Sequence, residues 1–274
     1  MGHSLRYAVN CSLLFTELPL LERPAAVRAA GFDAVEFWWP FTSPVPADRE
    51  VDAFVGAITD AGVALVGLNF AAGNMPLGDR GLVSWPARAA EFRDNIDATL
   101  AIGERLGCRM FNALYGNRVD EATDEEQDAV ATENLALAAA AAARIGGTVL
   151  IEPVSGATRY PLRTAADALA VLDRVQTATG APNIALLADL YHLAVNGDDV
   201  DKVIAAHTAR IAHVQIADNN GRHEPGTGDL PLAEQLAALE AGGYRGWVGL
   251  EYKPSGASAD SFGRLPRERR GATA

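Results

Sequence analysis

The sequence has 274 residues, of which 49% are hydrophobic, and no Pro/Gly/Ser-rich linker divides it, so we expect one large domain with a substantial core. Its formal net charge of −12 argues against a nucleic-acid partner and against binding to an anionic membrane surface, since both select basic proteins. The absence of a transmembrane-length apolar run and of a signal-peptide layout, with only two cysteines, predicts a reduced, cytoplasmic protein.

Short β-type runs alternate with longer helical runs along the chain. The continuous apolar run Ile184–Ala188 is typical of a strand buried on both faces of a parallel sheet. Strands are predicted at Arg6–Asn10, Ala34–Phe37, Ala64–Asn69, Met110–Leu114, Thr148–Glu152, Ile184–Asp189, Ile211–Ala217 and Trp247–Glu251. Helices are predicted at Leu18–Ala30, Ala47–Ala61, Ala87–Leu106, Glu121–Arg144, Thr164–Val175, Val200–His207 and Leu232–Ala241.

Eight strands in strict alternation with helices indicate an α/β fold, the closed (β/α)₈ TIM barrel, as a single domain over residues 1–262. The last predicted helix, Ala257–Phe262, is short, and the Arg-rich C-terminal tail of residues 263–274 is expected to be flexible. A doubly wound open sheet is the alternative, but it usually has a Gly-rich phosphate-binding turn after its first strand. The segment Asn10–Leu13 has no glycine, so we favour the barrel and expect no nucleotide cofactor.

Four polar residues follow or end consecutive predicted strands in the second half of the chain: Glu152, Asp189, Gln215 and Glu251. In a TIM barrel the C-terminal ends of the strands meet at the active-site face. Any single carboxylate there could instead be part of a salt bridge or a loop cap, but four on successive strands indicate one shared site. Their oxygen atoms favour Mg²⁺, or Mn²⁺, over Zn²⁺. The sequence therefore predicts an enzyme assisted by a divalent cation.

Other candidate residues lie close to this predicted metal set. His192 follows Asp189 by three residues and is a candidate to contact substrate, whereas His213 is either an orienter of Gln215 or a hydrogen-bonded core histidine. Arg222 and Lys253 are candidate cations for an anionic substrate. The loop of residues 221–229, which also carries Glu224, contains too many turn residues for a helix or strand, and a fainter loop follows Asn69. We expect these loops to cover the mouth of the barrel.

Several segments closely resemble the hydroxypyruvate isomerase family, a group of xylose isomerase-like barrels, and the resemblance covers nearly the whole chain. The resemblance implies that Glu152 and Glu251 are the paired catalytic glutamates and also bind the metal. It further implies that Asp189 and Gln215 complete the metal site and that His192 and Arg222 bind substrate. Lys253 and Glu224 are further substrate-binding candidates because of their positions near the predicted site and not because of the resemblance. The segments that carry it are Ile151–Val154, Ala188–His192, His213–Asp218, Arg222–Gly228 and Gly246–Pro254.

The reaction implied by the resemblance interconverts hydroxypyruvate and tartronate semialdehyde by glutamate-mediated proton transfer through a metal-stabilised cis-enediolate. The substrate is then a small anionic 2-oxo acid or a sugar-derived compound, and the sequence is compatible with a homo-oligomer. The alternatives are a 2-oxo-tetronate isomerase, a ketose 3-epimerase, or a barrel that binds a small acid without turnover. The chain departs from the family pattern around the barrel mouth, and these differences concern the choice of substrate: Gly73–Met75, the loop of residues 155–160, Leu187 and Asp229.

Overall fold

Eight parallel strands close into a barrel in sequence order, as the sequence predicts. The computed structural model describes residues 2–265, 267 and 270–271. Each strand pairs with the next one along the chain, and β8 pairs with β1 to close the ring. The strands are β1 Tyr7–Asn10, β2 Ala34–Phe37, β3 Ala64–Asn69, β4 Met110–Asn112, β5 Thr148–Ile151, β6 Ile184–Asp189, β7 Ile211–Ile216 and β8 Val248–Leu250.

The α-helices surround the barrel and bury their apolar faces against the strands. Four of them end at a glycine with positive φ, namely Gly62, Gly107, Gly180 and Gly197, where a side chain would be strained. Capping boxes with Thr123 and Thr164 begin α4 and α5. The helices are α1 Arg23–Ala29, α2 Asp48–Ala61, α3 Ala89–Leu106, α4 Asp124–Ala143, α5 Ala165–Thr179, α6 Leu190–Asn196, α7 Val200–His207 and α8 Leu232–Ala241.

The largest differences between the helices and the sequence predictions lie in three places. The helix predicted over Leu18–Ala30 begins with a 3₁₀ turn at Leu20–Glu22, because Pro19 and Pro24 restrict the backbone there. Helix α5 continues to Thr179, one residue before Gly180, instead of ending at Val175. Helix α6 was not predicted as a separate helix, because its seven residues are too few to show a helical period.

The C-terminal segment packs against the barrel as far as the structure describes it. The 3₁₀ helix Ser258–Arg264 takes the place of the predicted last helix and buries Phe262. Leu265 is also buried, and the Arg270 guanidinium donates to its carbonyl at 2.9 Å. Positions 266, 268–269 and 272–274 of the predicted flexible tail lie outside the described residues.

The parallel register places polar side chains of neighbouring strands side by side at the C-terminal end of the barrel. Asp189 on β6 is paired with Gln215 on β7, and Asn10 on β1 is paired with Glu36 on β2. The hydrophobic core packs the strands against the helices, and a cavity opens at this polar end. None of the helices in the described ranges is long and apolar enough to cross a membrane.

Candidate active site

Three carboxylates meet at the C-terminal end of the barrel. Glu152 and Glu251 directly follow β5 and β8, and Asp189 is the last residue of β6. All are buried, and ligand atoms from these side chains and His192 lie within 4.8 Å of one another. The structure therefore brings together the predicted carboxylates and adds His192 to their cluster.

The two carboxylate oxygens of Asp189 have different partners: one caps a helix and the other faces the cluster. Its Oδ1 accepts hydrogen bonds from the backbone amides of Tyr191 and His192, at 2.9 and 3.3 Å, and so caps helix α6. Its Oδ2 lies 3.2 Å from Arg222 Nη2 and 3.5 Å from His192 Nε2. The short helix α6 thus holds Asp189 with one oxygen facing the other carboxylates.

The two glutamates are poised to hold protons. Burial, followed by the nearby Asp189 charge, raises the pKa of Glu152 to about 8, although Asn112 Nδ2 donates to its Oε2 at 2.7 Å. Burial also raises the pKa of Glu251 well above its ordinary value. Asn10 Nδ2 donates to Glu251 Oε2 at 2.9 Å, so each glutamate is oriented by an asparagine from a neighbouring strand.

His192 is neutral and its tautomer is defined by Ser155. The backbone amide of Ser155 donates to His192 Nδ1 at 3.1 Å, and the Ser155 hydroxyl lies 2.7 Å from the same nitrogen. Because Nδ1 accepts, the proton of the neutral ring is on Nε2, which faces Glu152 and Asp189. Burial lowers the pKa of His192 to about 4. A protonated Nε2 can donate to a substrate oxygen but cannot bind a metal.

Arg222 lies directly on the carboxylates. Its Nη2 donates to Glu251 Oε1 at 2.5 Å and approaches Asp189 Oδ2 at 3.2 Å. Its backbone has a φ of 61°, which is rare for a residue other than glycine, and its carbonyl accepts from the Lys253 amide at 2.8 Å. The side chain predicted to bind substrate therefore also neutralises part of the charge of the cluster.

Gln215 is the register partner of Asp189 on the neighbouring strand, and Glu36 fixes its amide. Its Nε2 donates to Glu36 Oε1 at 2.7 Å, which turns its Oε1 away, and that buried oxygen has no hydrogen-bond partner in the described part of the chain. Gln215 lines a small inner void of about 10 Å³ together with Asn112 and His213. The unpartnered oxygen is the kind of atom that a cation would satisfy.

Glu36 is a site residue that the sequence analysis missed. It accepts from Asn10 Nδ2 at 3.0 Å as well as from Gln215, and its Oε2 lies 2.6 Å from His213 Nε2. His213 thus acts on Gln215 only through Glu36. The signal in the sequence is a lone acidic residue inside the apolar strand Ala34–Phe37. The sequence analysis predicts a strand there and assigns no role to this residue.

Lys253 and Glu224 occupy different positions at the barrel mouth. The carboxylates open into a cavity of about 410 Å³, here called the mouth cavity, which Lys253, Arg222 and His192 also line. Glu224 is not among its lining residues; its carboxylate accepts from the backbone amide of Ser255 at 3.0 Å and from the Ser255 hydroxyl. Glu224 therefore joins the loops after β7 and β8 and does not face the cavity.

The loop after β7 is organised by buried Asp218. Its carboxylate accepts from the backbone amides of Gly226 at 2.8 Å and Leu230 at 3.2 Å, across the loop. Gly228 packs so closely on this carboxylate that a Cβ there would lie within 3 Å of it. These contacts hold the segment that carries Arg222 against the mouth cavity.

The donor set suits a hard divalent cation. Three buried carboxylates repel one another, and Arg222 supplies one positive charge in contact with them. The unpartnered Gln215 Oε1 adds a neutral oxygen, and the Nε2–H tautomer of His192 argues against that side chain as a ligand. The residues present therefore fit a divalent cation held by oxygen atoms.

Comparison with known proteins agrees with this geometry. The family described as "Xylose isomerase-like TIM barrel" matches residues 24–268. A crystal structure of an AP endonuclease, family 2, from Brucella melitensis has a TM-score of 0.85 and 33% identity, and the match covers 94% of this chain and 97% of that one.

Curated relatives are similar over almost their whole length. A protein of Streptomyces coelicolor named "Putative hydroxypyruvate isomerase" is 56% identical, over 97% of this chain and 98% of that protein. The hydroxypyruvate isomerase of Escherichia coli is 31% identical, over 91% and 94%. The 2-oxo-tetronate isomerase of Cupriavidus necator is 35% identical, over 95% and 97%. The chain therefore belongs to the hydroxypyruvate isomerase family of xylose isomerase-like TIM barrels, and it is an isomerase.

Proposed function

We propose that this isomerase interconverts hydroxypyruvate and tartronate semialdehyde by proton transfer between adjacent carbons. The observation that carries the proposal is the pair of buried glutamates, Glu152 and Glu251, whose ligand atoms lie within 4.8 Å of each other on the floor of the mouth cavity. The identity of the relatives from Streptomyces coelicolor and Escherichia coli supports the choice of substrate.

The two glutamates divide the proton transfer between them. One of them, as the carboxylate, removes a proton from C3 of hydroxypyruvate, and the electron pair forms the C2–C3 double bond of an enediolate. The other, as the acid, delivers a proton to C2, while the C3 hydroxyl loses its proton as the aldehyde forms and O2 gains one. The pKa of Glu152, raised to about 8, and the raised pKa of Glu251 match this task, because a carboxyl that keeps its proton into the neutral range can both hold and release one there.

Cationic and neutral donors around the mouth cavity hold the substrate. Lys253 and Arg80 line the mouth cavity and offer positive charge to the substrate carboxylate. His192 presents its Nε2–H toward the reacting carbons and can donate to the substrate carbonyl oxygen. Arg222 keeps its contacts with Glu251 and Asp189, and from that position its guanidinium can reach the same substrate oxygens. Binding of the carboxylate by these groups orients C2 and C3 over the glutamates.

A divalent cation, Mg²⁺ or Mn²⁺, would be held by Glu152, Asp189, Glu251 and Gln215 Oε1. When bound, it supplies positive charge that stabilises the two oxygens of the enediolate as their charge develops. Asp189 and Gln215 then serve only as ligands, whereas Glu152 and Glu251 also transfer protons.

Solvent exchange and two conservative variants test the proposal. Wild-type protein in D₂O with Mg²⁺ should incorporate deuterium into hydroxypyruvate and yield tartronate semialdehyde, followed by NMR. Glu152→Gln and Glu251→Gln should each lower kcat by about 10³-fold or more, because the amide cannot accept the proton. Glu224→Gln is the matched control, since Glu224 does not line the mouth cavity, and it should retain most of the activity. Near-wild-type turnover in either catalytic variant would falsify the assignment.

A further inference from the structure

Glu152 lies one residue beyond the strand that carries it. The last registered pairs of β5 are Leu150 with Asn112, on β4, and Ile151 with Leu186, on β6. The Asn112 side chain orients one carboxylate oxygen of Glu152, at 2.7 Å, but this bond does not fix the main chain. A displacement of about 1 Å at a reacting group can lower a rate about 100-fold, so catalysis depends on what holds the main chain here.

The buried hydroxyl of Tyr160 holds the main chain at this point. It donates to the Glu152 carbonyl at 3.0 Å and accepts from the backbone amide of Tyr115 at 3.0 Å. The direction of both bonds is fixed, because a backbone amide can only donate and a carbonyl can only accept. Tyr160 is 1% exposed, and burial raises the pKa of its hydroxyl, so the hydroxyl keeps the proton that it donates.

The loop after β5 brings Tyr160 back to the end of its own strand. Within this loop the Val154 amide donates to the Leu162 carbonyl at 3.0 Å, which closes the loop on itself. Val154 also lines the mouth cavity, so the loop forms part of the wall of the site. The loop that departs from the family pattern, over residues 155–160, thus contacts the Glu152 main chain through Tyr160.

Tyr115, the donor to the Tyr160 hydroxyl, is itself anchored to the outer helices. Its own hydroxyl donates to Asp128 Oδ1 on α4 at 2.6 Å and accepts from Arg174 Nη2 on α5 at 2.8 Å. Arg118 and Arg174 both form ion pairs with the same Asp128 carboxylate, at 2.8 and 3.2 Å. The contacts of Tyr160 therefore connect the end of β5 to two helices of the outer ring.

We propose that Tyr160 is a positioning residue, which fixes the main chain of Glu152 and so directs its carboxylate toward the substrate and the cation. Tyr160 is not among the described residues that line the mouth cavity, so it acts through Glu152. The proposal rests on the proposed function, because it takes Glu152 as a group that transfers protons. Loss of the hydroxyl should lower the rate of the reaction more than substrate binding, since Lys253 and Arg80 still line the cavity.

Steady-state kinetics of two matched tyrosine variants test the proposal. Tyr160→Phe keeps the ring and removes the hydroxyl, and it should lower kcat at least about tenfold while KM stays within about threefold. Tyr244→Phe is the control, because Tyr244 is also buried and its hydroxyl donates to a backbone carbonyl, that of Trp247, at 2.6 Å. That bond lies before β8 begins, at the opposite end of the strand from Glu251, so kcat should stay within about twofold. With both variants shown to be folded by circular dichroism, unchanged kcat in Tyr160→Phe, or an equal loss in both, overturns the proposal.

Binding of Mn²⁺ separates failure of the positioning role from failure of the proposed function. Electron paramagnetic resonance titration should show about tenfold weaker binding in Tyr160→Phe and unchanged binding in Tyr244→Phe, because Glu152 is a proposed ligand. In a Glu152→Ala background, Tyr160→Phe should cause no further loss of affinity, since it acts through Glu152. This pattern without any turnover of hydroxypyruvate would keep the positioning role and reject the proposed reaction. An equal further loss in the Glu152→Ala background would overturn the positioning role, whether or not the wild type turns over hydroxypyruvate.

Discussion

The side-chain amide of Gln215 is fixed by Glu36, whose carboxylate accepts its Nε2–H at 2.7 Å. This contact fixes the orientation of the amide, because an amide that donates through Nε2 to Glu36 must direct its oxygen elsewhere. Asn10 connects the same carboxylate to Glu251, with hydrogen bonds of 3.0 and 2.9 Å. Glu36 therefore orients a proposed metal ligand and a proposed catalytic glutamate at once.

Replacement of Glu36 is expected to weaken metal binding without removing a ligand. Glu36→Leu should raise the Mn²⁺ dissociation constant about 10- to 100-fold, because Gln215 and Asn10 lose the acceptor that orients them. Glu36→Gln should recover most of the affinity, since its oxygen can still accept from both amides. Electron paramagnetic resonance titration measures the affinity, with circular dichroism to verify the fold. Equal affinity in Glu36→Leu and wild type would show that the network does not position ligands.

The space for Glu36 depends on a glycine in β8. A Cβ at position 249 would lie 2.5–2.7 Å from the Glu36 carboxylate, closer than atoms in proteins approach. Gly249→Ala should therefore lower the free energy of unfolding by about 1–3 kcal/mol and weaken Mn²⁺ binding in the same direction as Glu36→Leu. Gly256→Ala is the matched control, because nothing lies within 4 Å of its added Cβ. Urea denaturation measures the free energy of unfolding of the two variants. If the crowding at Glu36 were unimportant, both variants would lose the same amount.

Gln215 and His192 are rival candidates for the fourth metal ligand, and their variants should differ. Gln215→Leu should weaken Mn²⁺ binding at least about tenfold, because it removes the unpartnered buried oxygen. His192→Asn should leave the affinity within about threefold but raise KM, since its Nε2 carries a proton and is proposed to donate to the substrate. Calorimetric titration measures the affinity for Mn²⁺, and steady-state kinetics measure KM. The reverse pattern would assign His192 as the ligand.

Arg222 binds two of the carboxylates that would hold the cation. Its removal takes a positive charge from beside the metal site, so Arg222→Met should bind Mn²⁺ at least about tenfold more tightly than wild type. The same variant should raise KM, because a group within reach of the substrate oxygens is lost. Arg93→Met, at an exposed surface ion pair with Glu133, serves as the charge-matched control. Unchanged or weaker metal binding in Arg222→Met would mean that the guanidinium supports the cation.

The sequence was sufficient for the barrel and for the carboxylates because both depend on local patterns. Each strand is a short apolar run, and Glu152, Asp189 and Glu251 come at the ends of such runs, where barrel geometry brings them together. Glu36 could not be recognised in this way. Its role depends on contacts with residues 26 and 179 positions away along the chain, and only the closed barrel brings them together.

The loops at the mouth were the least predictable part of the site. Glu224 and Arg222 share one turn-rich segment, yet Arg222 bonds the carboxylates and Glu224 bonds Ser255. The difference follows from the positive φ of Arg222 and from the backbone amides bound by Asp218. Neither feature produces a periodic pattern in the sequence from which it could be predicted. A second cavity beside the mouth cavity, of about 510 Å³, likewise arises from two separate loops, which carry Trp39 and Asn74.

The stability of the metal-free protein should fall as the pH rises through neutrality. The pKa of Glu152 is about 8 in the folded protein, against an ordinary value of 4.5, because burial and the Asp189 charge oppose ionisation. Between these values the folded state holds a proton that the unfolded state releases, so the contribution is full below about pH 4.5 and is lost as the pH rises through about 8. The slope approaches about 1.4 kcal/mol per pH unit for one proton.

Urea denaturation in EDTA from pH 5 to 9 measures this dependence of the free energy of unfolding on pH. Glu152→Gln should make the slope shallower by the share that Glu152 contributes and leave the share of Glu251, whose pKa is also raised, whereas Glu133→Gln, at a position whose side chain is 70% exposed, should retain the full slope. Equal slopes in wild type and Glu152→Gln would show that Glu152 is already ionised when the protein folds, and that the proton held at the site belongs to another group.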